Sequence, residues 1–295
     1  MKRILITGST GFIGRHLAEY IKKYGSTKYL LDTPTHEELD LIEKKKVRRW
    51  LQKRNVDCVI HCACPNNVRN SIDNYEMLDM SLRMFDTLAE VSDVYEKMIY
   101  FGSGAEYNRH YGKHLVLEDD LGTCLPLDAY GFAKYIEAKL ANKYQNIYEL
   151  CLFGVYGKYE EWQRRFISSN IVRLLKGLPM TMSQNAMFDY MYVDDLCRIV
   201  EWFIEHEPKH HRYNVCTSQP VALLDLAYMI NEVSGLNREL QIAHSGWQTE
   251  YSGNNERLLN EIGEFQFTDK KKAIKEMWDY YSAHITEFDE QKLLV

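Results

Sequence analysis

The sequence predicts an α/β fold, in which a doubly wound parallel sheet is followed by a smaller C-terminal α/β domain. In the first half of the chain, short apolar runs alternate with segments of helical period, as is typical of parallel βαβ units. The 295 residues are 45% hydrophobic and 26% charged, which is ordinary for a globular protein. We find no internal repeat and no low-complexity linker, so we expect the two parts to pack directly against each other.

The first half begins with a buried strand at 3–7, where Ile4, Leu5 and Ile6 are consecutive. The helix that follows carries apolar or aromatic side chains at near-helical spacing, at Ile13, Leu17, Ile21 and Tyr24. Further strands are predicted at 29–32, 56–62, 97–101 and 148–153, and further helices at 47–53, 75–91 and 129–144.

The second half has a less regular pattern. Helices are predicted at 166–176, where Gly177 ends the helix, and at 195–206, 223–234 and 270–281. Strands are predicted at 179–182, 188–193 and 213–216.

Charge and composition exclude several classes of protein. The formal net charge of −6 argues against a general nucleic-acid or membrane-surface binder. No apolar run approaches the roughly 18 residues of a membrane span, and no secretory leader is visible, so we expect a cytoplasmic protein. The seven cysteines are an odd number and lie mostly in apolar runs, which favours free thiols. The segment His61-Cys62-Ala63-Cys64 lacks a second ligand pair, so we expect no metal site.

Three glycines follow the first predicted strand. Gly8, Gly11 and Gly14 open the first helix, where glycine allows a sharp turn and a close approach of the backbone to a pyrophosphate. The helix N-terminus adds amide donors and a favourable dipole. In this strand–loop–helix setting, the pattern predicts a Rossmann-type site for NAD(P)(H); a tight turn without a ligand is the alternative.

Asp32 ends the second predicted strand, 18 residues beyond Gly14. A carboxylate at this point can accept a hydrogen bond from the adenosine ribose 2′-hydroxyl and would repel a 2′-phosphate. The sequence therefore favours NAD over NADP, although Asp32 could equally be a strand-end turn residue.

Tyr130 and Lys134 are candidates for catalysis because residues i and i+4 share one face of a helix. A nearby ammonium and a nicotinamide ring both favour the phenolate, so Tyr130 could exchange a proton with a sugar or alcohol oxygen. Lys134 would also hold the nicotinamide ribose. Ser103 follows a predicted strand and could hydrogen-bond the reacting oxygen. The alternative is a solvated helix surface.

Together these residues resemble the extended short-chain dehydrogenase/reductase family, whose members mostly act on nucleotide sugars. The resemblance covers nearly the whole chain and includes 7–14, 59–63, 101–107, 153–157 and 190–196. It implies a Rossmann domain at 1–157, to which 189–206 return, and a substrate domain formed mostly by 158–188 and 207–295, often in a homodimer. It also implies further cofactor contacts, from Thr10, Phe12, Ile13, Cys62, Ala63, Phe153 and Val155.

Within that family, 37–41 resembles the branch of GDP-fucose synthase and dTDP-4-dehydrorhamnose reductase, which implies that Asp40 and Leu41 lie beside the adenine. The 4,6-dehydratases have an acidic pair where this chain has Gly104 and Ala105, so dehydration is disfavoured. GDP-fucose synthase has a cysteine at the position of Ala105, so its double epimerisation is also not expected here.

Many relatives carry an arginine for the diphosphate at the position of Phe188. Another such arginine is missing near 249–251. Arg164, Arg165 and Arg173 could replace them, or could lie on a solvated helix face.

We therefore expect an NAD(P)-dependent enzyme acting on a nucleotide-diphosphate sugar, most simply by reducing a 4-keto group. Two alternatives are an NAD-retaining C4 epimerase and a non-catalytic dinucleotide sensor. The expected substrate contacts are Ser103, Gly104, Glu106 and Arg165. Glu106 could be an extra acid–base group or sugar ligand, or only an exposed charge at the strand end.

Overall fold

The structure, a computed structural model, describes residues 1–65 and 75–293. In chain order, its strands are β1 (Lys2–Thr7), β2 (Tyr29–Asp32), β3 (Cys58–His61), β4 (Lys97–Ser103), β5 (Ile147–Leu152), β6 (Gly154–Tyr156), β7 (Met180–Met182), β8 (Met187–Phe188), β9 (Tyr190–Tyr192), β10 (Arg212–Val215), β11 (Val221–Ala222) and β12 (Leu240–Ile242). Its α-helices are α1 (Phe12–Tyr24), α2 (Lys44–Arg54), α3 (Tyr75–Ala89), α4 (Ala129–Ala141), α5 (Phe166–Leu175), α6 (Val193–Glu205), α7 (Leu223–Ser234), α8 (Glu256–Ile262) and α9 (Lys270–Ala283).

Six strands form one parallel sheet in the order β10-β5-β4-β3-β1-β2, so the predicted α/β fold is confirmed. The chain leaves β1 toward one edge of the sheet and returns to β3 on the other side of β1. In open parallel sheets such a reversal leaves a crevice at the carboxyl ends of the strands, where ligands bind.

Both faces of this sheet are covered, which explains why its strands are continuous apolar runs. In β1, Ile4 and Ile6 pack into one hydrophobic core with α1 and α6. Leu5, on the opposite face, packs into a second core with α2 and α3. Successive side chains of a strand point to opposite faces, so one short run contributes to both layers.

The C-terminal part has its own hydrophobic core, formed mainly by α5, α7 and α9. Three two-stranded pairings surround it, β11 with β8, β12 with β7, and β6 with β9. Parts of the range 207–295, predicted to lie mostly in the substrate domain, pack with the Rossmann sheet instead. Strand β10 joins the large sheet, and Leu258 of α8 packs into the core of α1 and α6. None of the helices in the described ranges is long and apolar enough to cross a membrane.

Several predicted boundaries need correction. The strand predicted at 188–193 is two strands, because Asp189 is buried and its carboxylate accepts hydrogen bonds from the amides of Thr217 and Ser218, at 2.9 and 2.8 Å. Tyr24, predicted on the apolar face of α1, is 56% exposed. The short elements β6, β11, β12 and α8 were missed, because seven or fewer residues carry too little periodicity to be recognised.

Candidate active site

The glycine loop lies at the crevice between β1 and β3. Gly8 has a φ of +66°, and a Cβ atom there would lie 2.7 Å from backbone atoms of Ala63. A Cβ atom on Gly14 would lie 2.3 Å from the Gly8 carbonyl oxygen. The N-cap of α1, Gly11, provides no side-chain cap, so the first amides of the helix remain available to an anion. These features fit the pyrophosphate of a dinucleotide.

The ends of β1 and β3 are joined by side chains beside this loop. Thr7 Oγ1 and His61 Nδ1 form a 2.8 Å hydrogen bond, and the amide of Ala63 donates to Thr7 Oγ1 at 3.2 Å. Burial, with a smaller contribution from the charge of Lys134, lowers the pKa of His61 to about 3. The imidazole is therefore neutral at physiological pH. Cys62 and Ala63, two of the predicted cofactor contacts, lie next to the glycine loop.

Asp32 lies at the end of β2, but its carboxylate already has partners. One oxygen is 3.1 Å from Nη1 of Arg3, and the other is 3.6 Å from Nε of Arg54. Nearby, Asp40 accepts a hydrogen bond from the amide of Ile42 at 3.1 Å. The side chain of Leu41 is buried in the core of α2 and α3, so it does not present an apolar surface to an adenine.

The structure brings together the three predicted catalytic residues. Asp128 caps α4 by accepting a 2.8 Å hydrogen bond from the amide of Gly131, which places Tyr130 in the first turn and Lys134 one turn later. Ser103 ends β4 and faces Tyr130. Burial raises the pKa of Tyr130, whereas the charge of Lys134 and the Ser103 hydroxyl act to lower it.

Sequence reasoning missed Glu137, the partner of Lys134. Lys134 Nζ donates to Glu137 Oε2 at 2.8 Å, and the two side chains are 10% and 2% exposed. Their spacing of three residues on one helix was a signal that could have identified the pair. The positive charge of Lys134 is therefore compensated within α4.

Tyr251 is a second residue that the sequence did not identify. Its hydroxyl also faces Ser103, and a Cβ atom on Gly104 would lie 2.7 Å from it. The backbone holds Tyr251 in place, because its amide donates to Met187 and its carbonyl accepts from Asp189, both at 2.9 Å. No local pattern around 251 marks the tyrosine, because more than 140 residues separate it from Ser103 in the chain.

Phe153, predicted beside the nicotinamide, belongs to a row of aromatic rings that leads away from Ser103. We call these rings the aromatic row, which consists in spatial order of Tyr107, Phe153, Tyr251, Phe188 and Tyr190. The centroids of successive rings lie 6.2, 5.3, 5.1 and 5.3 Å apart. Phe188 thus contributes an aromatic surface at the position where the family resemblance implied an arginine. Arg165 is exposed at the start of α5, Arg164 lies 3.3 Å from Glu161, and Arg173 is buried.

The expectations for Glu106 were wrong. Its side chain is fully buried, so it is neither an exposed strand-end charge nor a group presented to the crevice. Arg212 binds Glu106 with one guanidinium nitrogen and Glu149 with the other, the latter at 2.8 Å. Burial raises the pKa of Glu106. Glu106, Glu149 and Cys151 form a buried group of potential metal ligands within the described residues, but the Arg212 guanidinium already supplies the positive charge there.

Comparison with known proteins agrees with this geometry. Residues 4–216 match the model of the NAD dependent epimerase/dehydratase family. GDP-L-colitose synthase of Yersinia pseudotuberculosis is 23% identical over 95% of this chain and 97% of its own. A GDP-L-fucose synthetase from Naegleria fowleri bound to NADP superimposes with a TM-score of 0.84 at 16% identity, over 98% of this chain and 96% of its own. The Bordetella bronchiseptica enzyme WbmH with NAD⁺ gives 0.80 at 18%, over 95% and 98%.

The matched segment contains the glycine loop, Ser103, Tyr130 and Lys134, and relatives are found with either NAD or NADP. The family match also establishes that the chain is an NAD(P)-dependent enzyme, which the sequence analysis predicted. The chain belongs to the NAD dependent epimerase/dehydratase family.

Proposed function

We propose that this protein is an NAD(P)-dependent oxidoreductase that acts on a nucleotide-diphosphate sugar, and that it reduces a 4-keto group. The observation that carries the proposal is the grouping of Tyr130, Lys134 and Ser103 at the crevice where the glycine loop lies. The names of two relatives, GDP-L-colitose synthase and GDP-L-fucose synthetase, support a nucleotide sugar as the substrate.

Because the glycine loop fits a pyrophosphate, the residues that would hold the dinucleotide can be named. The first amides of α1 and the glycine backbone would bind the pyrophosphate. Lys134 would hold the nicotinamide ribose, between Tyr130 and Glu137. When bound, the reduced dinucleotide supplies a hydride to the keto carbon.

The protein's own part in the reaction is to supply and direct a proton. Tyr130 donates its phenolic proton to the carbonyl oxygen, and Ser103 donates a hydrogen bond to the same oxygen. The keto carbon thereby gains a hydride and the oxygen a proton, so the product is an alcohol. Tyr130 is half-buried, and the restricted access of water strengthens the electrostatic interactions around it.

The surroundings of Ser103 argue against dehydration. At Gly104 a side chain would collide with the Phe153 ring and the Tyr251 hydroxyl, both at 2.7 Å, so no acidic group fits there. Ala105 is fully buried and carries no proton-transfer group. The site is thus suited to hydride and proton exchange at one carbon.

The aromatic row would form the apolar side of the substrate site. Arg165, exposed at the start of α5, remains our candidate for contact with the diphosphate. We assign no substrate contact to Glu106, because its carboxylate forms an ion pair with Arg212.

Replacing Tyr130 by Phe tests the proposal most directly. Losing the proton donor should lower kcat by about 100-fold or more, because general acid catalysis contributes on that order. The dissociation constant of NADH, measured by calorimetry, should change by less than about threefold, since the ring remains. The matched control is Tyr135→Phe, on the same helix, where Tyr135 stacks on Phe132 at 6.2 Å. Equal activity in Tyr130→Phe and wild type would refute the proposal.

A separate assay distinguishes reductase from epimerase. A reductase consumes NADH or NADPH stoichiometrically with a nucleotide-linked 4-keto sugar, as followed by absorbance at the nicotinamide band. An epimerase interconverts sugars without net consumption and retains its dinucleotide through purification. If no nucleotide sugar is converted in either assay although the dinucleotide binds, the sensor hypothesis gains support.

A further inference from the structure

The charges around Tyr130 determine how readily its phenol exchanges a proton. Its helical neighbour Lys134 is bound to Glu137 at 2.8 Å, and both side chains are buried. A buried carboxylate at that distance offsets part of the field that the ammonium exerts on the phenol. Lys134 alone therefore favours the phenolate less than an unpaired lysine would.

Arg109 provides a second positive charge beside the same phenol. Its guanidinium carbon lies 5.8 Å from the centroid of the Tyr130 ring. Throughout 1–65 and 75–293, Arg109 has neither an ion pair nor a hydrogen bond with another residue. No carboxylate among the described residues is therefore paired with the charge of Arg109, in contrast to that of Lys134.

The backbone around Arg109 is firmly held. Asn108 adopts a φ of +66°, and its side-chain amide donates to the carbonyl of Leu125 at 2.9 Å. Its side-chain oxygen accepts from the amide of His110, also at 2.9 Å. This turn follows the short 3-10 helix Gly104–Tyr107 at the end of β4, and Arg109 lies beside the Tyr130 ring, which faces Ser103.

We propose that Arg109 is a positioning residue that promotes proton exchange at Tyr130 by adding a second positive charge to that of Lys134, which Glu137 partly offsets. The inference rests on the proposed role of Tyr130, but it concerns the proton affinity of that phenol, which can be measured without a substrate. Arg109 acts through Tyr130 and need not touch the sugar.

The other groups that face Tyr130 do not replace this charge. Ser103 and Tyr251 are neutral hydroxyls, and Cys64, beyond the end of β3, is a neutral thiol whose pKa burial raises. Arg109 also acts on Tyr251, where it opposes the increase in pKa that burial causes. One guanidinium thus acts on both phenols that face Ser103.

The titration of Tyr130 tests the proposal. The protein is labelled with ¹³Cζ-tyrosine, and the Tyr130 signal is assigned by its loss in Tyr130→Phe. Removing the cation with Arg109→Gln should raise the Tyr130 pKa by roughly one unit, given the charge–ring distance and partial exposure to solvent. Glu137→Gln should lower it, because the charge of Lys134 is then no longer offset. The Arg109→Gln change is measured in the wild-type protein and in Glu137→Gln. Because Glu137→Gln lowers the Tyr130 pKa, the second titration falls within the pH range in which the protein stays folded.

Matched variants separate charge from structure. Arg109→Lys should restore the wild-type titration, whereas Lys113→Gln removes a nearby cation that Asp120 already neutralises at 2.6 Å and should leave it unchanged. An unchanged Tyr130 titration in Arg109→Gln would overturn the inference, as would an equal shift in Lys113→Gln. Weaker binding of UDP-glucuronate or GDP-mannose in Arg109→Gln without a shift would make Arg109 a substrate ligand instead. Failure of every sugar assay with the shift present would count against the proposed function alone.

Discussion

The two sides of Tyr130 are built in different ways. On the cofactor side, the loop at 8–14 meets the ends of β1 and β3 through backbone contacts so close that no side chain would fit. On the substrate side, the aromatic row consists of bulky side chains that come from distant parts of the chain. The cofactor side therefore depends on the absence of a Cβ atom at Gly8 and Gly14. The substrate side depends on aromatic rings that the tertiary structure brings into contact. Variants on one side should leave the other unaffected.

The largest expected effect is that of Gly8→Ala. A methyl group there would collide with the backbone of Ala63 at 2.7 Å, at a φ of +66°. Displacing the loop by about 1 Å should weaken dinucleotide binding and also lower turnover, for which a misplacement of that size can cost about 100-fold. Calorimetry with NADH and NADPH measures the effect.

The control for this variant is Gly235→Ala, at a φ of +67° with no atom within 4 Å. It carries the same backbone strain, of about 1 kcal/mol, without the collision. If both variants bound the dinucleotide equally well, the close backbone approach would not be what shapes the cofactor side.

Phe188→Ala should have an intermediate effect, restricted to the substrate side. It removes the ring that contacts both Tyr251 and Tyr190, at 5.1 and 5.3 Å. Aromatic pairs are worth about 0.5–1.5 kcal/mol beyond burial, so the KM for the sugar should rise about tenfold while dinucleotide affinity stays constant. Phe265→Ala, which disrupts a half-buried aromatic pair elsewhere, is the control. A comparable loss of NADH affinity in Phe188→Ala would show that the two sides are coupled.

The smallest expected effect is that of Asp32→Asn. Arg3 and Arg54 already interact with this carboxylate. Its loss should therefore change the ratio of NADH to NADPH affinity by less than about threefold, because partly exposed ion pairs contribute little free energy. Arg54→Gln is the companion variant, and it should shift the preference toward NADH by freeing one carboxylate oxygen. A change of 100-fold in Asp32→Asn would instead identify this carboxylate as the main ribose ligand.

Much of the fold could be predicted because its signals are local. The strand at 29–32 and the helix at 223–234 have the predicted bounds, and most other elements differ by one to three residues. The catalytic candidates Tyr130 and Lys134 were recognisable because four residues bring them onto one face of a helix. In the second half, the strands are shorter and their hydrophobic periodicity is weaker. The strand predicted at 188–193 is therefore two strands, which are separated at Asp189.

The sequence by itself determined the glycine loop and the sheet that presents it, because apolar runs and residues without a Cβ atom act over a few neighbours. Only the tertiary structure decided what surrounds the reacting phenol. Tyr251 reaches Ser103 across the fold, Arg212 forms a buried ion pair with Glu106, and Arg109 lies beside Tyr130. Electrostatic interactions depend on distance in space and on burial, and neither can be read from spacing along the chain.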